Sequence, residues 1–460
     1  MMRYLKLLFP LPDHLYIFQL LEYNSREFLF WFIRYPFKRN LQRKNRLILT
    51  QKSISLLILS NLLMVFLAVW FNILFFRGLD LPVLVLFILY FQLLSPFFLM
   101  LSQLLLFPLE NYSKQQKIAA ARLKLSGMPK LKIIAITGSF AKTSTKDMLY
   151  TLLWKKYRVV KTPKSYNNPL SIAQTILELV KKNTQVLIVE VGAYRKGEIR
   201  KVVSWLKPGI GIITGIAPQH LERFGSLENI ARAKFELAEG LPKNGTAILN
   251  WQNETIKKMA KKVRCRIIFF GKPNLQIDLP LAGEHHLQNF SAAALAALEL
   301  GLSPAEIKER SKQFLPTPHR LEIKHQNGLT IIDNSYNTNF ESSKISFKLL
   351  KDISGKPASA KASAGKQKII ITPGLIELGS QSQKINREFI INAAKVADEI
   401  IIVGECNQKD LLAGLVDAKF PKDKTHIAQD LQHGIQLLGK ITKRGGGVAL
   451  IENDLPDQYF

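Results

Sequence analysis

The stretch IIAITGSFAKTSTK, residues 133–146, decides the fold. Residues 133–137 are a short apolar run rich in β-branched side chains, and they read as a strand. Gly138 and Ser139 form a turn, and Lys142 and Thr143 open a helical pattern. Strand, small-residue turn and helix in that order are the layout of a phosphate-binding loop. Backbone N–H groups from Gly138 to Thr143 would wrap the phosphates, with the positive end of the new helix aimed at them. Gly138, Ser139, Lys142, Thr143 and Ser144 are therefore candidate nucleotide contacts, with Lys142 neutralising phosphate charge and the Thr143 hydroxyl on Mg²⁺. The common spacing G-x-x-x-x-G-K-[ST] has glycine before the lysine, whereas this chain has Ala141. A strand, a turn and a helix with a surface lysine would give the same local pattern, so the flanking sequence has to choose.

Downstream, apolar runs alternate with helical segments. Strands are expected at 133–137, 158–161, 186–191, 210–214, 246–250 and 266–270, with helices at 143–155, 169–181, up to 205 and 226–239. This alternation predicts an α/β fold with a mostly parallel sheet covered by helices. Ligands of such sheets gather at the carboxyl ends of the strands. Polar residues stand at those ends. Glu190 closes the run VLIVE, where a Mg²⁺–nucleotide site needs a carboxylate. His220 follows the strand at 210–214. Lys234 lies within the helix LENIARAKFELAE, where composition alone makes it a solvated helix lysine. The segment GEHHLQNFSAAALAALELG is Ala-rich and opens with His285, His286 and Asn289. No third metal ligand at a fitting spacing accompanies the two histidines, so a nucleotide-facing helix start is preferred.

The Pro-rich LPTPHR, residues 315–320, marks a joint. A second α/β unit follows, with strands at 329–333, 368–372 and 399–403 and a helix at 341–351. The polar run DNSYNTN, residues 333–339, ends its first strand. The run KPASAKASAGKQ, residues 356–367, is low-complexity and is read as a surface insertion without chemistry.

Upstream, residues 54–76 and 81–107 are two uncharged apolar runs, each long enough to cross about 30 Å of hydrocarbon. Arg77, Gly78, Leu79 and Asp80 join them, so a tight transmembrane hairpin is expected. Lys and Arg flank both ends (Arg34, Lys38, Arg39, Arg43, Lys44 and Arg46 before; Lys114, Lys117, Arg122 and Lys124 after), which puts both ends and the large C-terminal part in the cytoplasm. Residues 11–35 mix aromatics with few charges and read as one or two amphipathic interfacial helices in contact with membrane lipid. The expected division is an interfacial segment over 1–50, the hairpin over 51–110, a linker over 111–130, an ATP-binding domain over 131–315 and a C-terminal domain over 316–460.

The 460 residues carry a net charge of +29, a balance that favours anionic partners. Part of the excess lies in the membrane-flanking stretches, so no nucleic-acid partner is invoked. Two cysteines, Cys265 and Cys406, support neither a disulfide framework nor a cysteine metal site.

Seven motifs in order (TGSFAKTSTK, SYNNPLS, VEVGAYRKGEI, HLERFGS with ARAK, GEHHLQN, HR-x-E and DNSYNTN) resemble the Mur ligase family from Leu131 to Phe460. They are most similar to the members that join D-alanyl-D-alanine to UDP-N-acetylmuramoyl-tripeptide. The resemblance implies a P-loop-type ATPase domain, a smaller Rossmann-like domain after it, and an ATP-dependent peptide ligase of peptidoglycan precursor synthesis working through an acyl phosphate. It implies ATP and two Mg²⁺ ions, with Lys142, His220 and Lys234 as catalytic residues. Thr143, Glu190, His220 and Lys234 serve the metals, Lys234 at the position of a carbamylated lysine. Asn289 faces adenine, and Arg320 and Asp333 reach the nucleotide from the C-terminal domain. Asn167 and Asn168, with Tyr336, Asn337 and Asn339, contact substrate. Ala141, Asn334, His286 and His319 depart from the family pattern, and the first 130 residues stand where the family grips its UDP-sugar. A ligase for another amino acid or acceptor, lipid-linked or polyglutamate-type, and a non-catalytic ATP-binding membrane scaffold are the alternatives.

Overall fold

A computed structural model describes residues 10–35, 47–76, 80–271, 279–280, 283–326, 328–336, 338–354, 367–442 and 446–455. The polybasic run from Lys38 to Arg46, the turn residues Arg77 to Leu79, nearly all of the low-complexity insertion and Asn337 lie outside the described residues. The chain divides into two compact units, residues 1–115 with 455–460, and residues 116–454.

The N-terminal unit holds α1 (Leu11–Leu20), α2 (Ser25–Arg34), α3 (Gln51–Phe76), α4 (Leu81–Leu93) and the start of α5 (Ser95–Ser126). The aromatic stretch forms two helices because Asn24 interrupts it. Its side chain accepts from the N–H groups of Arg26 and Glu27, capping α2. Leu15, Phe18 and Phe28 are buried in one cluster with Leu56, Met64 and Ala68 of α3. Buried positions on α3 recur every three or four residues, at Ser53, Leu56, Ser60, Met64, Ala68 and Asn72, which is one helix face. The other faces expose Leu62, Phe66, Trp70 and Leu74.

Among the described residues α3 alone is long and apolar enough to cross a membrane as one helix. The second expected span is not continuous: α4 and α5 are bent by 75° at Leu94. Pro96 accounts for the break, since a proline lacks the N–H that would continue the helix and disfavours helical backbone just before it. Most of the stretch 111–130 is helical, because α5 continues to Ser126.

The second unit contains two sheets. The first runs through β1 (Lys132–Thr137), α6 (Lys142–Leu153), β2 (Val159–Lys161), α7 (Pro169–Leu179), β3 (Val186–Glu190), α8 (Glu198–Leu206), β4 (Ile210–Ile213), α9 (Leu221–Phe224), α10 (Leu227–Glu239), β5 (Thr246–Asn250), α11 (Glu254–Ala260) and β6 (Arg266–Phe270). It is wholly parallel, in the order β2-β3-β1-β4-β5-β6. Then come α12 (Glu284–Glu299) and α13 (Pro304–Ser311). The alanines of α12, among them Ala293, Ala296 and Ala297, pack in one core cluster with Leu149, Leu152 and Leu153 of α6.

The second sheet is built from β7 (Glu322–Gln326), β8 (Leu329–Asn334), α14 (Phe340–Ser354), β9 (Gln367–Thr372), α15 (Ser382–Ala394), β10 (Glu399–Val403), α16 (Gln408–Asp417), β11 (Thr425–Ala428), α17 (Leu431–Ile441) and β12 (Gly447–Glu452). Its order is β11-β10-β9-β12-β8-β7, and only β7 is antiparallel. The sequence EIKHQ of β7 is charged and largely exposed, as an edge strand can be, which hides it from a search for apolar runs.

Strand order reverses about β1 in the first sheet. Register pairs Ile136 with Glu190 on one side and Thr137 with Ile213 on the other. The phosphate-loop candidate, Glu190 and the segment after β4 therefore share the carboxyl edge, at the switch point where open α/β sheets bind ligands.

Candidate active site

The loop between β1 and α6 is held by the segment after β4. Gly138 has φ +151°, and a Cβ there would lie 2.0 Å from Thr214 Oγ1, so only glycine fits. The Ser139 N–H donates to the Gly215 carbonyl at 2.8 Å. The Ser139 hydroxyl donates to the Ala217 carbonyl at 3.0 Å and accepts from the Ala217 N–H at 3.1 Å. Ser139, expected to face phosphate, thus shapes the loop. The Thr214 hydroxyl lies against the Phe140 carbonyl. Ala141 takes a left-handed backbone, φ +63°, which explains why glycine is common at this position of such loops. Lys142 donates from Nζ to the Gly138 carbonyl at 2.7 Å. Burial of its ammonium lowers its pKa to about 8, with Glu190 pulling the other way.

Thr143 and Glu190, both expected at the metal, meet directly. The Thr143 hydroxyl donates to Glu190 Oε2 at 2.9 Å, and both side chains are buried. Asn167 donates to Glu190 Oε1 at 3.3 Å, and the Thr162 hydroxyl accepts from the Glu190 N–H at 3.1 Å. Lys146 completes the group: its Nζ is 3.2 Å from Glu190 Oε2 and also donates to the Lys164 carbonyl. Burial alone would raise the pKa of Glu190, but Lys142 and Lys146 outweigh it, and the carboxyl is held below its ordinary range. Lys146 carries no role in the sequence reading. Its signal is spacing: Lys146, Leu149 and Leu153 fall at i, i+3 and i+7, so the lysine lies on the buried face of α6.

Lys234 is not a solvated helix lysine. It is buried on the face of α10 that also carries Ile230, Leu237 and Ala238. Its Nζ lies 3.5 Å from the Ala193 carbonyl and 5.7 Å from the centroid of the Phe224 ring. Burial, with the charge of Lys142, lowers its pKa to about 7, against the opposing pull of Glu198, Glu190 and Glu236. His220 begins α9 with a left-handed backbone, φ +52°. Its Nδ1 contacts the Glu377 carboxylate, which comes from the second sheet, and Tyr194 meets the ring edge-on at 4.8 Å between centroids.

Other residues reach this edge from the second sheet. The Arg320 guanidinium lies 4.5 Å from the Tyr336 ring centroid, and the Tyr336 hydroxyl is 2.6 Å from Ser165 Oγ. Asp333 bonds Lys324 at 2.8 Å, His319 at 2.9 Å and the Ser335 hydroxyl at 2.7 Å. His319, Glu322 and Asp333 form a ligand-like cluster, but the Lys324 ammonium already bonds both of its carboxylates. Asn168 and Asn339 cap α7 and α14 through bonds to Ser171 N and Ser342 N, so those two side chains serve helix starts. Asn289 is half-buried on the first turns of α12. Beside it, both ring nitrogens of His285 and Nδ1 of His286 are buried without hydrogen-bond partners among the described residues. Burial keeps both rings neutral, His286 down to about 4.

Thr143 and Glu190 offer hard oxygens side by side, and this donor set fits Mg²⁺. With Lys142 and a helix N-terminus at the same edge, the arrangement suits a nucleoside triphosphate.

Residues 136–276 match the model of the Mur ligase middle domain. The UDP-N-acetylmuramoyl-tripeptide–D-alanyl-D-alanine ligase of Mycobacterium bovis is 30% identical over 280 residues, covering 55% of this chain and 54% of that protein. The chain spans about half the length of the curated relatives it matches. MurF from Acinetobacter baumannii has a similar structure, with a TM-score of 0.65 at 24% identity over 74% of this chain and 77% of that one. MurF from Thermotoga maritima, solved in complex with ADP, has a TM-score of 0.62 at 22% identity over 74% and 80%.

Proposed function

We propose that this chain, which carries a Mur ligase middle domain within a MurF-like α/β fold, is an ATP-dependent ligase that adds D-alanyl-D-alanine to a muramoyl-tripeptide. The observation that carries this is the buried meeting of Thr143 and Glu190 beneath a loop bearing Lys142. In the reaction, the γ-phosphoryl of ATP passes to the acceptor carboxylate, giving an acyl phosphate and ADP. The dipeptide amine then attacks the acyl carbon, and phosphate leaves with the C–O bond electrons as the C–N bond forms.

Lys142 would leave the Gly138 carbonyl to follow the phosphates, a short movement for a flexible side chain. Thr143, Glu190, His220 and a carbamylated Lys234 would hold Mg²⁺, which when bound offsets charge on the phosphoryl oxygens. A pKa of about 7 supports the carbamate, because only a neutral amine reacts with carbon dioxide. Neutral nitrogens on His285 and His286, without partners among the described residues, suit the amino edge of a purine beside Asn289. Arg320 and Tyr336 approach from the second sheet, where they would close over nucleotide and acceptor and exclude water from the acyl phosphate.

The exposed apolar faces of α3 and the Lys and Arg residues on both flanks support anchoring to the cytoplasmic membrane, with both termini inside if the bent pair of α4 and α5 serves as the return span. An anchored enzyme has access to a lipid-linked acceptor as well as a soluble UDP-linked one. The test is phosphate release from ATP with D-alanyl-D-alanine and each form of muramoyl-tripeptide. No release with either removes the assignment, and release with other amines only redirects it to another acid–amine ligation. Cysteine labelling at Asp80→Cys from outside the cell checks the orientation.

A further inference from the structure

The contact between His220 and Glu377 joins two residues that both hold left-handed backbones, at φ +52° and +59°. A side chain takes that conformation only where the surroundings impose it. Around Glu377 they do. The loop 373–378 after β9 is tied by three buried asparagines. Asn386 bonds both the N–H (2.8 Å) and the carbonyl (3.0 Å) of Leu375. Asn407 donates to the carbonyls of Pro373 (2.9 Å) and Leu375 (3.1 Å), and Asn453 donates to that of Gly374 at 2.9 Å. The Leu375 and Leu378 side chains are buried. The Glu377 carbonyl accepts from the Glu222 N–H at 3.2 Å, seating the loop on α9. A glutamate at a strained position on so firmly held a loop is there for its carboxylate.

We infer that Glu377 is a positioning residue for His220. A carboxylate can only accept, so Nδ1 carries a proton, and in the neutral imidazole the lone pair then lies on Nε2, the nitrogen a metal would take. Metal-binding histidines are commonly oriented in this way by a carboxylate on the other ring nitrogen. Because Glu377 comes from the second sheet and His220 from the first, the imidazole is fully oriented only when the two sheets are packed as they are here. The inference rests on the ligase reading above.

The test uses the full chain in detergent, Mn²⁺ as the probe and a non-hydrolysable ATP analogue, with affinity read by electron paramagnetic resonance. Glu377→Gly relieves the left-handed backbone while removing the carboxylate. It is expected to raise the Tm yet weaken Mn²⁺ binding by about 10- to 100-fold, the usual cost of losing such a partner. Glu377→Gln, whose amide oxygen still accepts, keeps the Nδ1–H tautomer in ¹⁵N-histidine spectra and loses less than about 10-fold. His220→Ala combined with Glu377→Gly is no worse than His220→Ala alone. Parent-like Mn²⁺ affinity in Glu377→Gly, or additive losses in the double variant, overturns the inference and leaves the ligase reading standing. A parent chain that binds no Mn²⁺ with the nucleotide analogue removes both.

Discussion

Lys146 Nζ lies 3.2 Å from Glu190 Oε2, an ion pair with both side chains out of contact with solvent. Together with Lys142, it holds the Glu190 carboxylate in its charged form. Removing one partner of a buried pair costs about 3–5 kcal/mol, and after loss of Lys146 only Lys142 still offsets the Glu190 charge. Lys146→Ala is therefore expected to lower the unfolding free energy in urea by about that much. Combining Lys146→Ala with Glu190→Gln is expected to cost less than the two single losses added together, because the Lys146–Glu190 pair goes as a unit, while Lys142 is left without its carboxylate. A double-mutant cycle with purely additive losses would contradict the pairing.

Lys234 gives a sign that can be checked. Its folded pKa of about 7 lies below the ordinary lysine value, so between about 7 and 10.5 the unfolded chain binds the extra proton. This residue's contribution to stability therefore rises with pH across that window, and Lys234→Met should flatten the rise. The same neutral amine should take up carbon dioxide. With ¹³C-bicarbonate at pH 8, a carbamate carbon signal is expected in the parent and not in Lys234→Ala.

Glu452 behaves in the opposite sense. It ends β12 fully buried, accepts from Asn334 Nδ2 at 3.1 and 3.2 Å, and is pushed by burial up to about 8. The folded chain keeps this proton where the unfolded chain has lost it, so the group's stabilisation falls as pH rises from about 4.5 to 8. Glu452→Gln should match the parent near pH 4 and be the more stable protein at pH 8, by about 2 kcal/mol or more. Urea unfolding at the two pH values reads the difference.

Ala141→Gly removes a side chain from a left-handed position, φ +63°. An increase of about 1 kcal/mol in unfolding free energy is expected, measured the same way.

The sequence carried much of this site locally. The run 133–146 reads directly as β1, its loop and α6, and the end of VLIVE gives Glu190. Partners brought from far along the chain were not legible: Glu377 stands 157 residues from His220, and Glu452 stands 118 residues from Asn334. For Lys234 only the family resemblance supplies a role. Composition treats lysine as solvated, but its spacing from Ile230 and Ala238 places it on the apolar stripe of α10, a signal the sequence also carries. The bend at Leu94 followed from Pro96, whose effect was hidden inside an otherwise unbroken apolar run. Pro108 lies within α5 without ending it, so proline alone does not say where such a run breaks.

The Phe140 ring packs over Gly215, where an added Cβ would come within 2.1 Å of Cζ. Bulk at these two positions is thus interchangeable only as a pair. A larger residue at 215 requires the Phe140 ring to swing away or a smaller residue at 140. The shape of this loop is therefore a joint property of two stretches of chain far apart in sequence.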